Sequence, residues 1–352
     1  MSTFKTAIIG AGKRSVPHLD AYRHTPEARC TAICDVDEQR SLERAEQYGL
    51  TGYTDARDMV EAERPDVVHI VTWPDVRPRL MKLVSDMGVP ACTTEKPLAK
   101  EVADWKLLRD IEKASKTKFG VCHQFRWHPD LARCIEVANS GDLGKPRLID
   151  MSAGMNLSAQ GTHILNYGMA LNGDSPVDRV FGTVSGAELM HDAHPAPASS
   201  IATLAFANGV RGVWHTGPTA PDWSDREEEW SNVRVGAYFD KGRVEWGEFA
   251  RWEIVGPGGS QSGHWGADLD EAMEKNLVGQ AAFHRSIFHW LEHDDDPSPT
   301  SLAVSLEEWR TVLALYASAV WRRPVEMDGF EPPKDLYTRL ETSLMENEGE
   351  RT

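Results

Sequence analysis

A glycine-rich turn near the N-terminus has residue types and spacing suited to binding phosphate. The run Gly10-Ala11-Gly12-Lys13-Arg14-Ser15 follows a strand-like apolar segment and leads into a helical pattern. The first glycine permits a tight turn, and the second lets the backbone approach a pyrophosphate at the helix N-terminus. We therefore predict a dinucleotide site that includes Gly10, Gly12, Lys13 and Arg14. A glycine turn without a ligand is the alternative.

An acidic residue follows this turn at the distance that a ribose contact requires. Asp35 ends the next strand-like segment, about 25 residues after Gly10. A carboxylate at that place accepts hydrogen bonds from the adenosine ribose and repels a 2′-phosphate, so Asp35 favours NAD. NADP stays open because Lys13 or Arg14 could contact a phosphate, and Asp35 could also be a polar residue that merely ends a strand.

Metal-binding patterns are weak in this sequence. His191-Asp192-Ala193-His194 precedes prolines in a loop-like segment, and His289 and His293 lie one helical turn apart beside the acidic run 294–296. Histidines beside acids at a helix end are more often surface electrostatics than metal ligands, and neither group has clear additional ligands. We predict no metal site, and the sequence has no Walker or Gly-x-Ser-x-Gly motif.

The elements that position the glycine turn alternate between strands and helices up to residue 122. Short apolar strands separated by amphipathic helices predict a parallel, doubly wound sheet. The predicted strands are Phe4–Ile9, Arg29–Cys34, 66–71, 90–93 and 119–122, and the clearest predicted helices are Glu38–Tyr48 and 102–115.

The pattern of apolar and turn residues changes after residue 146. Strand-like runs between Gly and Asn turns predict a mostly antiparallel sheet in an α+β domain, with helices at 268–292 and 302–320. We therefore predict three parts: a Rossmann dinucleotide-binding domain (1–122), an α/β domain for substrate binding and oligomerisation (123–330) and a surface tail (331–352). The predicted strands of the second domain are 147–152, 201–206, 210–216, 233–239 and 251–255.

Composition excludes several classes of protein. The 352 residues include 38 Lys plus Arg and 54 Asp plus Glu, a formal net charge of −16. This acidic balance disfavours nucleic acids and anionic membranes as partners. The sequence has no signal-like start and no apolar run of about 18 residues. Five scattered cysteines are typical of reduced core thiols, so we predict a cytoplasmic protein.

Five segments, taken in order, resemble the Gfo/Idh/MocA oxidoreductase family. Each motif is loose by itself, but the five together are specific, and the resemblance covers roughly residues 4–327. The segments are Val71-Thr72-Trp73-Pro74, Thr94-Glu95-Lys96-Pro97, Gln124-Phe125-Arg126-Trp127-His128-Pro129, Gly161-Thr162-His163, and Ser318-Ala319 through Arg323-Pro324-Val325.

The resemblance implies a Rossmann domain, a second domain with a large open sheet that forms a homodimer or homotetramer, and a bound NAD(H) or NADP(H). It implies that Lys96 holds the reacting oxygen near the nicotinamide and that His163 is the acid/base residue, with substrate between the domains. It also assigns cofactor contacts to Thr72, Trp73, Glu95 and Gln124, and a place in the substrate cleft to Arg126.

Two departures from the family pattern surround His163. Many members have Asp four residues before this histidine and Asp three residues after it, where the present sequence has Ala159 and Asn166. A missing carboxylate cannot raise the basicity of the imidazole by charge. His163 then acts alone or with another group such as Tyr167, or the chemistry differs from simple polyol oxidation. Asn166 and Tyr167 remain candidates for substrate contacts.

The predicted function is hydride transfer between NAD(P) and a secondary hydroxyl or ketone of a sugar, a sugar derivative or a cyclitol. A neutral imidazole can take the hydroxyl proton, while an ammonium stabilises the developing alkoxide. The first alternative is a redox-neutral, NAD-dependent glycosidase or lyase that oxidises sugar C3 transiently. The second is a non-catalytic NAD(P) sensor, against which the presence of Lys96 and His163 weighs.

Overall fold

The computed structural model describes residues 3–224, 226–266 and 268–349. The chain divides into two compact units. Unit 1 contains the chain up to Ala99, Asp104–Trp127 and Asn276–Leu306, and unit 2 contains Lys100–Ala103, His128–Lys275 and the chain from Glu307 onward. The predicted domain boundaries at residues 122 and 330 concern folding domains and stay a prediction.

Unit 1 is built on a six-stranded sheet in which every pair of neighbours is parallel. The strand order is β3-β2-β1-β4-β5-β6, which is the doubly wound order of dinucleotide-binding domains. All five predicted strands are present, and β3 is an addition, since its three residues lack an apolar run. The strands are β1 (Phe4–Ile9), β2 (Ala28–Cys34), β3 (Thr51–Tyr53), β4 (Val67–Ile70), β5 (Ala91–Thr94) and β6 (Lys118–Val121).

The helices that follow these strands begin and end on ordinary local signals. Helix α2 (Glu38–Tyr48) begins after Asp37, whose carboxylate accepts from the backbone N–H of Arg40, and it ends at Gly49 with φ of 66°. The other α-helices between β1 and β6 are α1 (Ser15–Asp20), α3 (Ala56–Glu63), α4 (Arg77–Asp86) and α5 (Val102–Ala114). Helix α8 (Leu269–Glu292) contributes Phe283, Ile287 and Phe288 to the core of unit 1.

Unit 2 contains a nine-stranded sheet in the order β14-β13-β12-β11-β7-β10-β9-β8-β15. Its pairs are antiparallel except β7 with β10, so the predicted fold class, a Rossmann sheet plus a mostly antiparallel open sheet, is confirmed. The strands are β7 (Pro146–Ala153), β8 (Val177–Ser185), β9 (Ser199–Phe206), β10 (Arg211–Thr216), β11 (Val233–Phe239), β12 (Gly242–Gly247), β13 (Arg251–Gly256), β14 (Gly259–His264) and β15 (Val325–Glu326).

Three further helices belong wholly to unit 2. They are α6 (Pro129–Asn139), α7 (Thr162–Leu171) and α10 (Leu336–Gly349), and α9 (Leu302–Trp321) also lies mostly in it. Every residue of α7 is buried. Helix α7 packs closely on the sheet at Gly168, where an added Cβ would lie 2.4 Å from the Met151 sulfur.

Helix α10 corrects the predicted surface tail. Leu336, Leu340 and Leu344 recur at helical spacing, and each is at most 2% exposed. Tyr337 makes an edge-to-face contact with Tyr316, with ring centroids 5.6 Å apart. The Pro332-Pro333 pair suggested a tail, but the leucine stripe that follows it packs as a helix. Residues 350–352 of the predicted tail lie outside the described residues.

Two expectations about the whole chain concern membrane segments and thiols. Among the described residues, no helix combines the length and the apolar character that crossing a bilayer needs. All five cysteines are free thiols, and four of them are buried.

Candidate active site

The residues predicted to bind the cofactor follow the strands of unit 1 at their carboxyl ends. Gly10 follows β1, Asp35 follows β2, Thr72 comes after β4, Glu95 follows β5 and Gln124 comes after β6. Carboxyl ends of parallel strands share one edge of a sheet, and the chain connections diverge between β1 and β4. This edge, at the point where the strand order reverses, is where open α/β sheets bind their ligands.

The two glycines of the turn have different geometric reasons to be glycine. Gly10 has φ of 107°, and an added Cβ there would lie 2.4 Å from the backbone oxygen of Val71. A side chain at Gly10 would therefore be strained and would clash with the segment after β4. At Gly12 an added Cβ would meet nothing within 4 Å. The turn therefore leaves open space beside Gly12, as approach of a diphosphate requires, and Lys13 is exposed next to it.

Asp35 is buried and fixed by backbone donors. Its Oδ2 accepts from the backbone N–H of Ala11 at 2.8 Å, and its Oδ1 accepts from that of Asp37 at 3.0 Å. The guanidinium of Arg40 lies 3.5 Å from Oδ2. The bond to Ala11 ties the end of β2 to the glycine turn, so the predicted ribose-binding carboxylate stands beside the predicted phosphate-binding backbone.

Glu95 is a buried carboxylate held by two basic side chains. Arg14 Nε donates to Oε1 at 2.8 Å, and His18 Nε2 lies 2.9 Å from the same oxygen. Burial by itself would raise the pKa of Glu95, but the charge of Arg14 and the hydrogen bond from His18 hold that pKa well below its usual range. Glu95 is therefore ionised. Arg14 contacts this carboxylate here, and its contact with a phosphate stays a prediction.

Lys96 is half-buried immediately after Glu95. Burial lowers the pKa of Lys96 to about 8; the carboxylate of Glu95 opposes this shift, and the positive charges of Arg14 and Arg77 add to it. The ammonium form is therefore the main form at pH 7, but its proton is far more easily lost than that of a surface lysine. Perturbed titration at the ligand edge of a Rossmann sheet is typical of a functional residue.

Arg77 is a buried residue that the sequence did not single out. Its guanidinium donates to the carbonyl oxygen of Thr72 at 3.0 and 2.6 Å and to that of Pro97 at 2.6 Å. These bonds join the loop after β4 to the loop that carries Lys96. An arginine at the start of a helix is usually exposed, so sequence alone offered little sign of this role.

The remaining predicted contacts of unit 1 lie in two loops. Thr72 is half-buried, and the Trp73 side chain is 65% exposed. Gln124 and Arg126 are buried in a 3₁₀ turn, Gln124–Trp127, that comes directly after β6. Their contacts with cofactor and substrate stay predictions.

His163 lies at the start of α7 in unit 2 and is 7% exposed. Its Nδ1 is 3.1 Å from the hydroxyl of Tyr167, one turn further along, and the two rings stack. Tyr167 is fully buried and contacts Trp246 edge-to-face. The structure thus brings His163 together with Tyr167, one of the two options that the sequence left open. Ala159 lies in the preceding π-helical turn, Leu157–Gly161.

The side chain of Asn166 is hydrogen-bonded to a buried carboxyl group. Its Nδ2 donates to Glu308 Oε1 at 2.6 Å, and both residues are 1% exposed. Substrate contact by Asn166 stays a prediction. Glu308 was missed, although a signal existed: on α9 it shares a helix face with Ser305 and Val312, whereas its neighbour Glu307 pairs with Arg310 at the surface.

Two of the histidines that the sequence weighed as metal ligands, His191 and His289, lie beside single carboxylates. His191 lies 2.7 Å from Glu341, and His289 lies 2.9 Å from Asp296. Such pairs are ordinary surface ion pairs when the imidazole is protonated.

Comparison with known proteins identifies the first part of the chain. Residues 4–123 match the model of the Gfo/Idh/MocA family, described as an oxidoreductase family with an NAD-binding Rossmann fold. A D-apiose dehydrogenase from Paraburkholderia graminis is 27% identical over 230 residues, which is 58% of this chain and 61% of that protein. A D-apiose dehydrogenase from Rhizobium rhizogenes is 31% identical over 148 residues, 42% of each chain. The matches thus span less than two thirds of either relative.

Solved structures share the fold over nearly the whole chain. An oxidoreductase from Agrobacterium radiobacter, solved in complex with NAD+, L-tartaric acid and magnesium, superposes with a TM-score of 0.78 at 21% identity. The superposition covers 93% of this chain and 99% of that one. Taken with the strand order and the glycine turn, the family match confirms the resemblance and the predicted NAD cofactor for residues 4–123, which are similar to the NAD-binding Rossmann fold of the Gfo/Idh/MocA oxidoreductase family. The solved structures show that the fold is shared.

Proposed function

We propose that the protein transfers a hydride between NAD and a carbon that bears a secondary hydroxyl or ketone in a sugar, a sugar derivative or a cyclitol. The observation that carries this proposal is a lysine with a pKa of about 8 at the ligand-binding edge of a Rossmann sheet. The two relatives named as D-apiose dehydrogenases support a sugar as the substrate class.

The turn and Asp35 fit a dinucleotide. Open space beside Gly12 leaves room for the diphosphate, and the carboxylate of Asp35 keeps acceptor capacity for ribose hydroxyls. Bound NAD supplies the hydride acceptor in oxidation and, once reduced, the hydride donor.

Lys96 is the proposed clamp on the reacting oxygen. As an ammonium at neutral pH it donates a hydrogen bond to that oxygen and stabilises the negative charge that develops as the hydroxyl proton leaves. In the reverse direction the same bond polarises the carbonyl. The contact of Glu95 with Arg14 and the bond of Arg77 to the Pro97 carbonyl anchor the residues on either side of this lysine.

His163 is the proposed acid and base. A base at Nε2 requires that the proton of the neutral ring sit on Nδ1, which then donates to the hydroxyl oxygen of Tyr167 at 3.1 Å. Tyr167 therefore orients the ring and accepts this proton, as a carboxylate commonly does behind such a histidine. In oxidation Nε2 takes the hydroxyl proton, and in reduction it returns that proton to the oxygen.

Steady-state assays with NAD and a panel of polyols, free sugars and aryl glycosides test this proposal. Net formation of NADH supports the dehydrogenase, and release of the aglycone without net NADH supports the redox-neutral alternative. Lys96→Ala and His163→Ala should each lower kcat by about 10²-fold or more while cofactor affinity stays within a few-fold. Lys82→Ala, at an exposed pair with Asp86, is the control. Variants that lose only cofactor affinity would contradict the assigned roles.

The two glycines provide a matched test of the cofactor site. Gly12→Ala should fold normally because its Cβ meets nothing in the protein, but it should weaken NAD binding about tenfold by crowding the diphosphate. Gly10→Ala should instead destabilise the fold by more than about 1 kcal/mol through strain and the clash with Val71. Calorimetric titration with NAD and thermal melts separate these effects. Unchanged NAD affinity in Gly12→Ala would contradict a diphosphate at this turn.

A further inference from the structure

Three buried histidines from distant parts of the sequence meet in unit 1. His18 lies on α1, His69 in β4 and His284 on α8, and none is more than 1% exposed. Each offers a ring nitrogen, and the three nitrogens lie within 4.8 Å of one another. Buried polar side chains in such a cluster must be satisfied by one another or by a ligand.

We propose that His18, His69 and His284 bind a divalent transition-metal ion of the Zn2+ class. Imidazole nitrogen is a preferred ligand of these ions. Bonds of about 2.0–2.1 Å in a tetrahedral site place ligand atoms about 3.3–3.4 Å apart. His18 Nδ1 and His284 Nε2 are already 3.2 Å apart, so two of the three ligands stand at nearly the required separation.

Glu95 fixes the tautomer of His18 that metal binding needs. A carboxylate can only accept, so His18 Nε2, 2.9 Å from Glu95 Oε1, carries the ring proton of the neutral imidazole. The lone pair is then on Nδ1, the atom that faces His284. A carboxylate behind the far nitrogen of a histidine is the usual way in which proteins orient a metal-binding imidazole.

Hydrogen bonds alone leave the pair His18 and His284 mismatched. Gln280 Nε2 lies 3.2 Å from His284 Nε2 and 3.5 Å from His18 Nδ1. If His284 Nε2 carries a proton, it donates to His18 but faces the amide N–H groups of Gln280. If it carries none, it accepts from Gln280 but faces the lone pair of His18. A cation between the two ring nitrogens is bound by both lone pairs and so removes the second of these conflicts.

Other proton arrangements do not resolve the mismatch. Rotation of the Gln280 amide by 180° would turn its NH2 group toward Arg14 Nη2, which now lies 3.4 Å from the amide oxygen. A doubly protonated His18 would make its Nδ1–H and the Gln280 amide share the one lone pair of His284 Nε2, and it would place a positive charge on a ring that is only 1% exposed. In addition, His284 Nδ1 is buried without a hydrogen-bond partner among the described residues.

The third ligand, His69, lies near the pair His18 and His284. His69 Nε2 lies 2.8 Å from the hydroxyl of Tyr22, and its Nδ1 lies 2.7 Å from Thr93 Oγ1. His69 joins the site by giving up the bond to Tyr22, whose hydroxyl keeps its contact with Thr6 Oγ1 at 2.5 Å. A water completes four-coordination.

Metal analysis of the tag-free full chain tests this site. The protein is stripped with a chelator, loaded with excess Zn2+, passed through gel filtration and analysed by plasma mass spectrometry. We expect about one Zn2+ per chain in the parent protein and a loss of most of it in His284→Phe, which keeps an aromatic ring in the stack with His69. Zn2+ should raise the melting temperature of the parent chain but not that of the variant.

A matched control lies on the same helix. His289→Asn changes an exposed histidine and should retain the metal. If His284→Phe fails to fold, His69→Phe serves as the second variant. Loaded with Co2+, the parent should show the visible bands of a tetrahedral nitrogen site without a thiolate charge-transfer band. A parent chain that holds well below one Zn2+, a folded variant that holds as much as the parent, or a thiolate band from Cys122 would each overturn the proposal.

Discussion

The two side chains proposed to act on the reacting hydroxyl, Lys96 and His163, are set up by different interactions. In unit 1, Lys96 lies among charges: burial and the cations Arg14 and Arg77 lower its pKa, and the carboxylate of Glu95 opposes them. In unit 2, the imidazole of His163 is oriented by the neutral hydroxyl of Tyr167 on its own helix. Charges change the free energy of protonation over several ångströms, whereas a single hydrogen bond to a hydroxyl orients the ring that it contacts.

The neutral partner of His163 lies in the part of the chain where the sequence departs from the family pattern, and the charged surroundings of Lys96 lie in the part where it does not. The Glu95-Lys96-Pro97 segment resembles that of the family, whereas Ala159 and Asn166 stand where the resemblance leads us to expect Asp. Asn166 is itself bonded to a buried carboxylate, Glu308, which lies on α9. The carboxyl group in this part of unit 2 therefore lies on α9, and it contacts α7 through the side-chain amide of Asn166.

Glu95→Gln should have the largest effect, because it removes the charge on which the unit 1 network depends. Arg14 and His18 would lose their shared partner, and we expect the free energy of unfolding to fall by about 2–4 kcal/mol. The partial exposure of Arg14 keeps this value at the lower end for a broken buried pair. Urea unfolding monitored by circular dichroism measures the change.

The control for this variant is a carboxylate at the surface. Glu307 pairs with Arg310 and is 56% exposed, so Glu307→Gln should change the free energy of unfolding by less than about 0.5 kcal/mol. Equal destabilisation by the two substitutions would show that Glu95 has no special electrostatic role, and the comparison between the two units would fail.

Local signals explain what the sequence could predict about the fold. Strand β1 and helix α2 were predicted to the residue, because apolar runs, caps and C-terminal glycines act within a few positions. Strand β14, by contrast, is the run Gly-Ser-Gln-Ser-Gly-His and is almost entirely exposed. It is a strand because β13 pairs with it, and no apolar alternation records that pairing.

The candidate site also contains some features that local sequence predicts and others that depend on distant contacts. The positions of the glycine turn and of Asp35 were predictable because each directly follows an apolar strand. The bonds of Arg77 to Pro97, of His18 to Glu95 and of Asn166 to Glu308 join residues 20, 77 and 142 positions apart. A single sequence contains no sign of which distant side chains meet, so these partners could be found only in the folded chain.

The pH dependence of the reaction should separate control by charge from control by orientation. If the ammonium of Lys96 donates to the substrate oxygen, kcat/KM for ketone reduction falls as pH rises through about 8, since the group loses its proton there. Lys96→Arg should be slower by about 10-fold or more, because the guanidinium differs from the ammonium in shape and donor geometry. Since arginine stays protonated over this pH range, the variant should not show the decline in kcat/KM. A parent rate that rises above pH 8 would instead make the neutral amine a base.

Tyr167→Phe should have the smallest effect, because it removes one neutral hydrogen bond. We expect kcat to fall by about three- to tenfold as His163 loses the contact that orients its ring, with a loss of about 1 kcal/mol in stability. The part of the pH profile that reports His163 should shift, which a purely structural loss would not cause. Tyr316→Phe is the matched control, because the buried hydroxyl of Tyr316 has no hydrogen-bond partner among the described residues. If both variants leave kcat and the pH profile unchanged, Tyr167 does not orient the base, and the imidazole is set by another contact of unit 2.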